Sequence, residues 1–362
     1  MYTVVTSLNS SLNKSFDSNG NKSSNALLSY GSYQVEKRNT IEEYLSRLKT
    51  LQHNQAIIPG IPKNGTFSGF IASKEMNIPN SITRTKEDFH FNGNHILLFD
   101  YDPDDNGYKI TSPEHFCEVL REIYPPLKDC KIGVTYGSSY GTRKDGVLLS
   151  NSISLHGVAE VIADNNEQVQ EFKSSLENET WKKGYGFVKI SKSGSLLQRG
   201  TTDGSVIGSQ NLYFEANPTL AEGITQLKPA DYFTTETGVL DLSTDIIPND
   251  AKGKTLFEEA KLLKKDEAKI IRDKYIEDKS NELASSQNIT KELAVQTIKR
   301  KVSDGVLTAD DILNSKDGIV KVSDIFLNPE KYKNLQTLDP INPINNEFVA
   351  MVYVNDNSII VH

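Results

Sequence analysis

Three short stretches carry residue types that could act together. Asp100-Tyr101-Asp102 closes the apolar run Ile96–Phe99. In a strand, residues two apart share a face, with Cα atoms roughly 6–7 Å apart. Two carboxylates on one face at a strand end can hold one or two hard divalent cations, and two-metal sites place those cations ~3.5–4 Å apart. Ser154-Leu155-His156, inside the strand-like run Ser152–Ile162, puts a hydroxyl and an imidazole on one face. A His beside a metal-phosphate site can hydrogen-bond a triphosphate or transfer a proton. Arg199-Gly200-Thr201-Thr202-Asp203 offers Asp203 as a third metal ligand and Arg199 as a phosphate clamp.

Other readings stand beside these. The acidic run can be a solvated turn. Asp102–Gly107 also fits the first half of a calcium loop, whose twelfth position should be Glu and here is Pro113. A D-x-D after a strand also opens phosphatases of the haloacid-dehalogenase type, which want Thr or Val where Pro103 stands. A single His in a strand is more often a partnered structural residue. Residues Trp181–Thr202 contain Lys182, Lys183, Lys189, Lys192 and Arg199 and no acid, interleaved with Trp181, Tyr185 and Phe187. In a chain of net charge -8, this stretch is where a nucleic-acid backbone or a triphosphate would sit. A basic hairpin without a partner would look the same.

The elements that must position these residues are legible in outline. Thr40 with Glu43 reads as a capping box opening a helix over Thr40–Leu51, with Ile41, Leu45 and Leu48 on one face. Ser112 and Pro113 open a helix over Pro113–Ile123, and a further helix is expected over Asn166–Leu176. Ile96–Phe99, Lys131–Thr135, Ser152–Ile162, Gly186–Ile190 and Leu212–Glu215 read as strands. Strands alternating with helices argue for an α/β or α+β domain. Lys254–Lys301 has no Gly or Pro and reads as two helices split near Ser285–Asn288. Glu347–Val361 alternates like a hairpin around an Asp-Asn turn, and the chain stops at His362 directly after its second strand. That ending reads as a fragment of a longer protein.

The expected organisation is a flexible segment over 1–30 and a catalytic domain over 31–245, with a boundary around Leu242–Asp250. A helical accessory or linker domain over 250–335 and the start of a following segment over 336–362 complete it. The length of 362 residues fits about two domains at ~150 residues each. A composition 37% hydrophobic and 24% charged provides a core and excludes wholesale disorder. There is no run of ~18 apolar residues, so no membrane span is expected. Met1–Asn25 lacks the apolar stretch of a secretory signal. Cys117 and Cys130 exclude a disulfide framework and a Cys-only zinc site, and read as reduced thiols of a cytoplasmic protein. The acidic net charge excludes a uniformly basic nucleic-acid binder.

The order D-x-D, S-x-H, then an acid preceded by Arg resembles the archaeo-eukaryotic primase superfamily, and within it the primase-polymerases of phages, plasmids and integrated elements. Ile82-Thr83-Arg84-Thr85-Lys86 resembles that family's approach to its first motif, and Leu97-Leu98-Phe99-Asp100-Tyr101-Asp102-Pro103 the motif itself. Thr135-Tyr136-Gly137-Ser138-Ser139 and Ser154-Leu155-His156 resemble the second motif and the serine-rich strand end before it. Leu197–Val206 is similar to the third motif, and Leu212–Pro218 to the strand after it. Asn211 stands where the family often has Arg. The tail, from Leu307–Leu313 through Val320–Tyr332 to the closing hairpin, resembles the linker ahead of a helicase in larger members. No helicase P-loop occurs in these residues.

The resemblance implies an α+β primase-polymerase core with an RRM-like mixed sheet, a small N-terminal α/β unit and a helical C-terminal region. It implies a template-dependent nucleotidyl transferase, a DNA primase or DNA polymerase, using Mg²⁺ or Mn²⁺ held by Asp100, Asp102 and Asp203, with Asp241 as the alternative third ligand. Ser139, Ser154, His156 and Arg199 would bind nucleotide, and Lys182, Lys183, Lys189 and Lys192 would bind DNA. The implied partners are a single-stranded DNA template, nucleoside triphosphates and a helicase domain in the full-length chain. The contrasting expectation is a non-catalytic, replication-associated DNA-binding module.

Overall fold

A computed structural model describes residues 1–362 apart from 25, 26, 74, 75, 77, 288, 305, 341–347, 349, 356, 357 and 362. The protein is α+β, with helices packed on mixed and antiparallel sheets. It divides into two compact units, Met1–Phe187 with Gln198–Ala260, and Val188–Leu197 with Lys261–His362. No described helix is long and apolar enough to cross a membrane.

The first unit holds two five-stranded sheets. One orders its strands Gln55–Ile58, Tyr2–Ser7, Tyr30–Glu36, Ser68–Ala72 and Ser81–Ile82. The other runs Gly93–Tyr101, Leu155–Ala163, Ile132–Tyr136 and Tyr232–Phe233, with Leu240–Asp241 joining Leu155–Ala163 in parallel. Its three long strands are antiparallel neighbours. Strand alternation divides their side chains between two cores. Leu97, Phe99 and Tyr101 pack with α2 (Pro113–Ile123) and α3 (Asn166–Lys182) through Phe116, Leu120 and Phe172. Ile96, Leu98 and Val158 pack on the other face with Tyr44, Leu45 and Leu48 of α1 (Ile41–Leu48).

The helices start where the sequence places them. Thr40 accepts a hydrogen bond from Glu43 N, and Glu43 Oε2 accepts one from Asn39 N at 2.9 Å. Ser112 accepts from His115 N, with Pro113 in the first turn. Asn165 accepts from Gln168 N, and Gln168 Oε1 accepts from Asp164 N. The third helix runs to Lys182 rather than Leu176, because Asn178, Glu179, Thr180 and Trp181 are all buried. Asn178 satisfies its amide by donating to Asp250 Oδ1 and accepting from Gly253 N. Gly184, at φ +81°, ends the helix in a conformation open to glycine.

Within the first unit, three expectations about organisation are corrected. The segment 1–30, read as flexible, contributes a buried strand over Tyr2–Ser7 and the fully buried Leu12, which packs with Val5, Tyr33 and Phe89. The stretch Leu242–Asp250, read as a boundary, is bonded into the first unit. Leu242 N donates to Ile162 O, Ser175 Oγ to Ile247 O, and Tyr124 Oη to Asp245 O. The division falls instead inside α4 (Lys252–Gln287). Leu212–Glu215 is not a strand; Tyr213 alone bridges Ile57.

In the second unit, α5 (Lys291–Asp304) follows α4, so the expected two helices are present, although Asn288 at their junction lies outside the described residues. The region is not wholly helical. A sheet orders Gly318–Lys321, Ile312–Ser315, Gln336–Thr337, Ala350–Asn355 and Ser358–Val361, around a core of Leu313, Val320, Ile325 and Val352. The strands Gln336–Thr337, Ala350–Asn355 and Ser358–Val361, expected to begin a separate segment, belong to this sheet. The closing hairpin forms, with Glu347, its Asp356-Asn357 turn and His362 outside the described residues.

The correction at the N-terminus is testable. Leu12→Ala is expected to destabilise the protein by about 2–5 kcal/mol, the range for emptying a buried leucine site. Urea unfolding measures it; a mobile segment would give no change.

Candidate active site

Register places the central residues. Asp100 lies opposite His156 on one side of the Leu155–Ala163 strand, and Thr135 lies opposite it on the other. Asp100 shares the alternation of Ile96 and Leu98, so it leaves the apolar face at the point where the strand ends. Ser154, one residue before the strand, donates from Oγ to Asp102 Oδ1 at 2.9 Å. Gly137 N donates to Ser154 O, and a Cβ at Gly137 would come within 2.5 Å of Ser154 Oγ. A side chain at Gly137 would have to displace the Ser154 hydroxyl, so glycine lets the Gly137–Tyr140 turn carrying Ser139 lie beside the S-x-H stretch.

Asp203 arrives from far along the chain. Its backbone N–H donates to Asp100 O at 2.9 Å, and its Oδ1 accepts from Ser205 N at 2.8 Å. Asp241 goes elsewhere. It pairs with Ile162, six residues beyond His156 and so about 20 Å along the strand. Its carboxylate accepts from Ser243 N and Oγ. The acid beside Asp100 is therefore Asp203.

The strongest contact involves a residue that the motif reading passed over. His156 Nδ1 lies 2.8 Å from Glu215 Oε1, and its Nε2 lies 3.2 Å from Asp100 Oδ1. Glu215 is 7% exposed. Burial alone would strip His156 of its proton, but the Glu215 and Asp100 carboxylates together outweigh it and raise its pKa to about 10. Burial likewise works against the Glu215 charge, and His156, Lys228 and Lys14 reverse it, holding its carboxyl below the usual value. The ring is thus an imidazolium between two carboxylates, with Nδ1–H donating to Glu215. A carboxylate closing the apolar run Leu212–Phe214 is the same signal that marked Asp100, and it could have revealed Glu215.

Arg199 is exposed, and its Nη1 donates to its neighbour Gln198 O. Lys182 bridges Glu179 and Asp250 at 2.7 and 3.1 Å, and Lys183 caps α3. Lys189 and Lys192 belong to the second unit. The expected basic stretch is therefore split between two units.

No match was found. That holds for comparison with protein-family models, with curated proteins and with solved structures. The site's chemistry rests on its own geometry. Asp100, Asp102 and Asp203 supply the oxygen donors that hard divalent cations take, and the buried Asp100 Oδ1 accepts no aligned hydrogen bond. Among the described residues, however, no group of three or more His, Cys, Asp or Glu side chains is gathered to hold a metal ion. The carboxylates of Asp100, Asp102 and Asp203 are turned to His156, Ser154 and Ser205 respectively.

The His156–Glu215 pair predicts a pH dependence of stability. The histidine contribution is complete below its unfolded pKa near 6.5 and is lost as pH rises toward about 10. The glutamate contribution is complete above about 4.5 and is lost as pH falls through its lowered folded value. Urea unfolding from pH 4 to 10 should therefore show stability falling at both ends. In Glu215→Gln the alkaline decline should shrink, with an overall loss of about 3–5 kcal/mol near pH 6 from unpairing a buried charge. An unchanged alkaline profile would refute the pairing.

Proposed function

We propose that the protein is a template-dependent nucleotidyl transferase, a DNA primase or DNA polymerase, acting at Asp100, Asp102, Ser154, His156 and Asp203. The observation that carries this reading is the bond from Asp203 N to Asp100 O. It brings an acid from a distant segment to the strand end where the D-x-D and S-x-H stretches already meet. The sequence resemblance to primase-polymerases supports it, because the three stretches fall in that family's order.

The donor chemistry fits Mg²⁺ or Mn²⁺ at Asp100, Asp102 and Asp203. Such ions, when bound, lower the pKa of an attacking 3′-hydroxyl and neutralise charge on the triphosphate and the departing pyrophosphate. The chain's own residues do the rest. His156, held cationic by Glu215 through Nδ1, would have to exchange its Nε2 contact with Asp100 for a triphosphate oxygen. Ser154 orients Asp102 and would release it to donate to the same phosphates, with Ser139 on the adjoining turn. Arg199 would clamp a phosphate of nucleotide or template. Lys183, Lys189 and Lys192 would meet the DNA backbone, and Lys182 would have to exchange its two acidic partners to join them. Single-stranded DNA is the template in this reading, and a helicase domain is the expected companion in a longer chain.

Primer extension and unprimed synthesis on single-stranded DNA test the proposal. Wild-type protein with Mg²⁺ or Mn²⁺ and nucleotides should form product, lost on chelation. Asp100→Ala/Asp102→Ala should reduce it on the order of 10²–10³-fold or more, the scale for removing charge-stabilising groups. DNA binding without synthesis under any metal would favour the non-catalytic binding module. Hydrolysis of a small phosphate ester without template would favour a phosphatase.

A further inference from the structure

Two lysines outside every motif flank Glu215. Lys14 opens the strand Lys14–Phe16, which pairs with Lys22–Ser24 and, in parallel, with Thr219–Leu220. The preceding residue, Asn13, donates from Nδ2 to Asn217 O and Thr219 Oγ1, both at 3.0 Å. Lys14 is thereby tied to the segment that directly follows Glu215. Lys228 follows the strand Ile224–Gln226. Gln226 Nε2 donates to Ser138 O and Tyr140 O, and Leu227 N to Gly141 O. These bonds fasten Lys228 to the turn that supports Ser154. Lys228, Gln226, Thr135, Tyr136, Glu215 and Asn217 are among the residues lining one cleft of about 260 Å³.

Both lysines are half-buried, and among the described residues neither ammonium group makes a hydrogen bond or an ion pair. The nearby carboxylates are taken. Glu215 is held by His156 at 2.8 Å, and Asp231, also lining the cleft, is held by Lys49 at 2.7 Å. Burial pulls both lysines below their usual pKa; Lys22 adds to this at Lys14 and Lys14 at Lys228, against the attraction of Glu215 on both and of Asp102 and Asp100 on Lys14. The buried Ser138 Oγ, on the same turn, also has no hydrogen-bond partner. Two cations drawn partly out of water with no direct ion pair are costly to a folded chain. A compact polyanion relieves that cost, whereas an extended nucleic-acid strand is met by a row of exposed cations.

We propose that Lys14 and Lys228 form a subsite beside Glu215 that takes the polyphosphate of a nucleoside triphosphate. This assignment rests on the nucleotidyl-transfer reading and adds to it two residues from segments remote from the three motifs. Ser138 Oγ supplies a further donor, and the N-terminal hairpin becomes part of the nucleotide site.

Lys14→Met and Lys228→Met test it, singly and together, with thermal melting and nucleotide binding as readouts. Probes are inorganic tripolyphosphate, a deoxynucleoside triphosphate and a single-stranded oligonucleotide, each with and without Mg²⁺. Without ligand, each substitution should raise Tm, by about 2–4 °C, because an unpaired cation is replaced by an apolar chain of similar length. Tripolyphosphate should stabilise the wild type and not the double variant. The dissociation constant for the deoxynucleoside triphosphate should rise about tenfold per lysine, with oligonucleotide affinity unchanged.

Equal stabilisation of wild type and double variant would overturn the subsite. So would loss of oligonucleotide affinity alone, which would assign the lysines to a strand backbone. Primer extension with an unchanged KM for nucleotide in both variants would overturn the subsite and leave the nucleotidyl-transfer reading standing. Lysine-dependent binding of polyphosphate without any synthesis would support the subsite and overturn that reading.

Discussion

Two charged residues 56 positions apart in sequence, Asp100 and His156, are held opposite each other by the antiparallel ladder between Gly93–Tyr101 and Leu155–Ala163. The ladder cannot slip by one residue. A slip would move Leu97 and Phe99 out of the core with α2 and α3 and drive His156 toward it. The same packing that specifies the fold therefore sets which atoms meet at the strand ends. Asp203, Ser154 and Glu215 are then added by single bonds to residues that this register has already fixed.

The site is also a problem in electrostatics. An imidazolium and a carboxylate are both withdrawn from water, and each keeps its charge because the other is there. Such a pair contributes little net stability against an apolar replacement, but it fails badly when one partner is lost. Its consequence here is orientation. With Nδ1 committed to Glu215, Nε2 is directed at Asp100, and the ring has no reason to rotate.

The sequence was most informative where a local interaction decides the structure. Thr40, Ser112 and Asn165 cap helices by bonds within three residues, and all three helix starts were readable. The D-x-D strand and the S-x-H stretch were readable because apolar alternation ends abruptly on polar residues. What was not readable depends on partners far away in the chain. The Ser- and Asn-rich segment after Ser7 looks unstructured by composition, yet Leu12 is enclosed by strands from three other parts of the unit. The end of α3 was hidden because Asn178 and Glu179 look solvent-facing; Asp250 and Gly253 meet the Asn178 amide, and Lys182 meets Glu179. Asp203 could be told from Asp241 only by topology, since both follow plausible strands. Lys14 and Lys228 carry no local signature at all.

The hairpin Gly186–Ile190/Leu196–Gly200 has a property of a different kind. Its tip, Val188–Leu197, counts with the second unit, where Gly194 O accepts a bond from Arg272 Nη2 at 2.8 Å. That bond spans 78 residues of chain. A ribosome makes the tip first, and the tip has no Arg272 to hold it until all of those residues have followed. The second unit is thus begun early, left unfinished while the remainder of the first is synthesised, and completed only after α4 emerges. The two units are interleaved in time as well as in sequence, and neither can be exchanged as a single continuous block of chain.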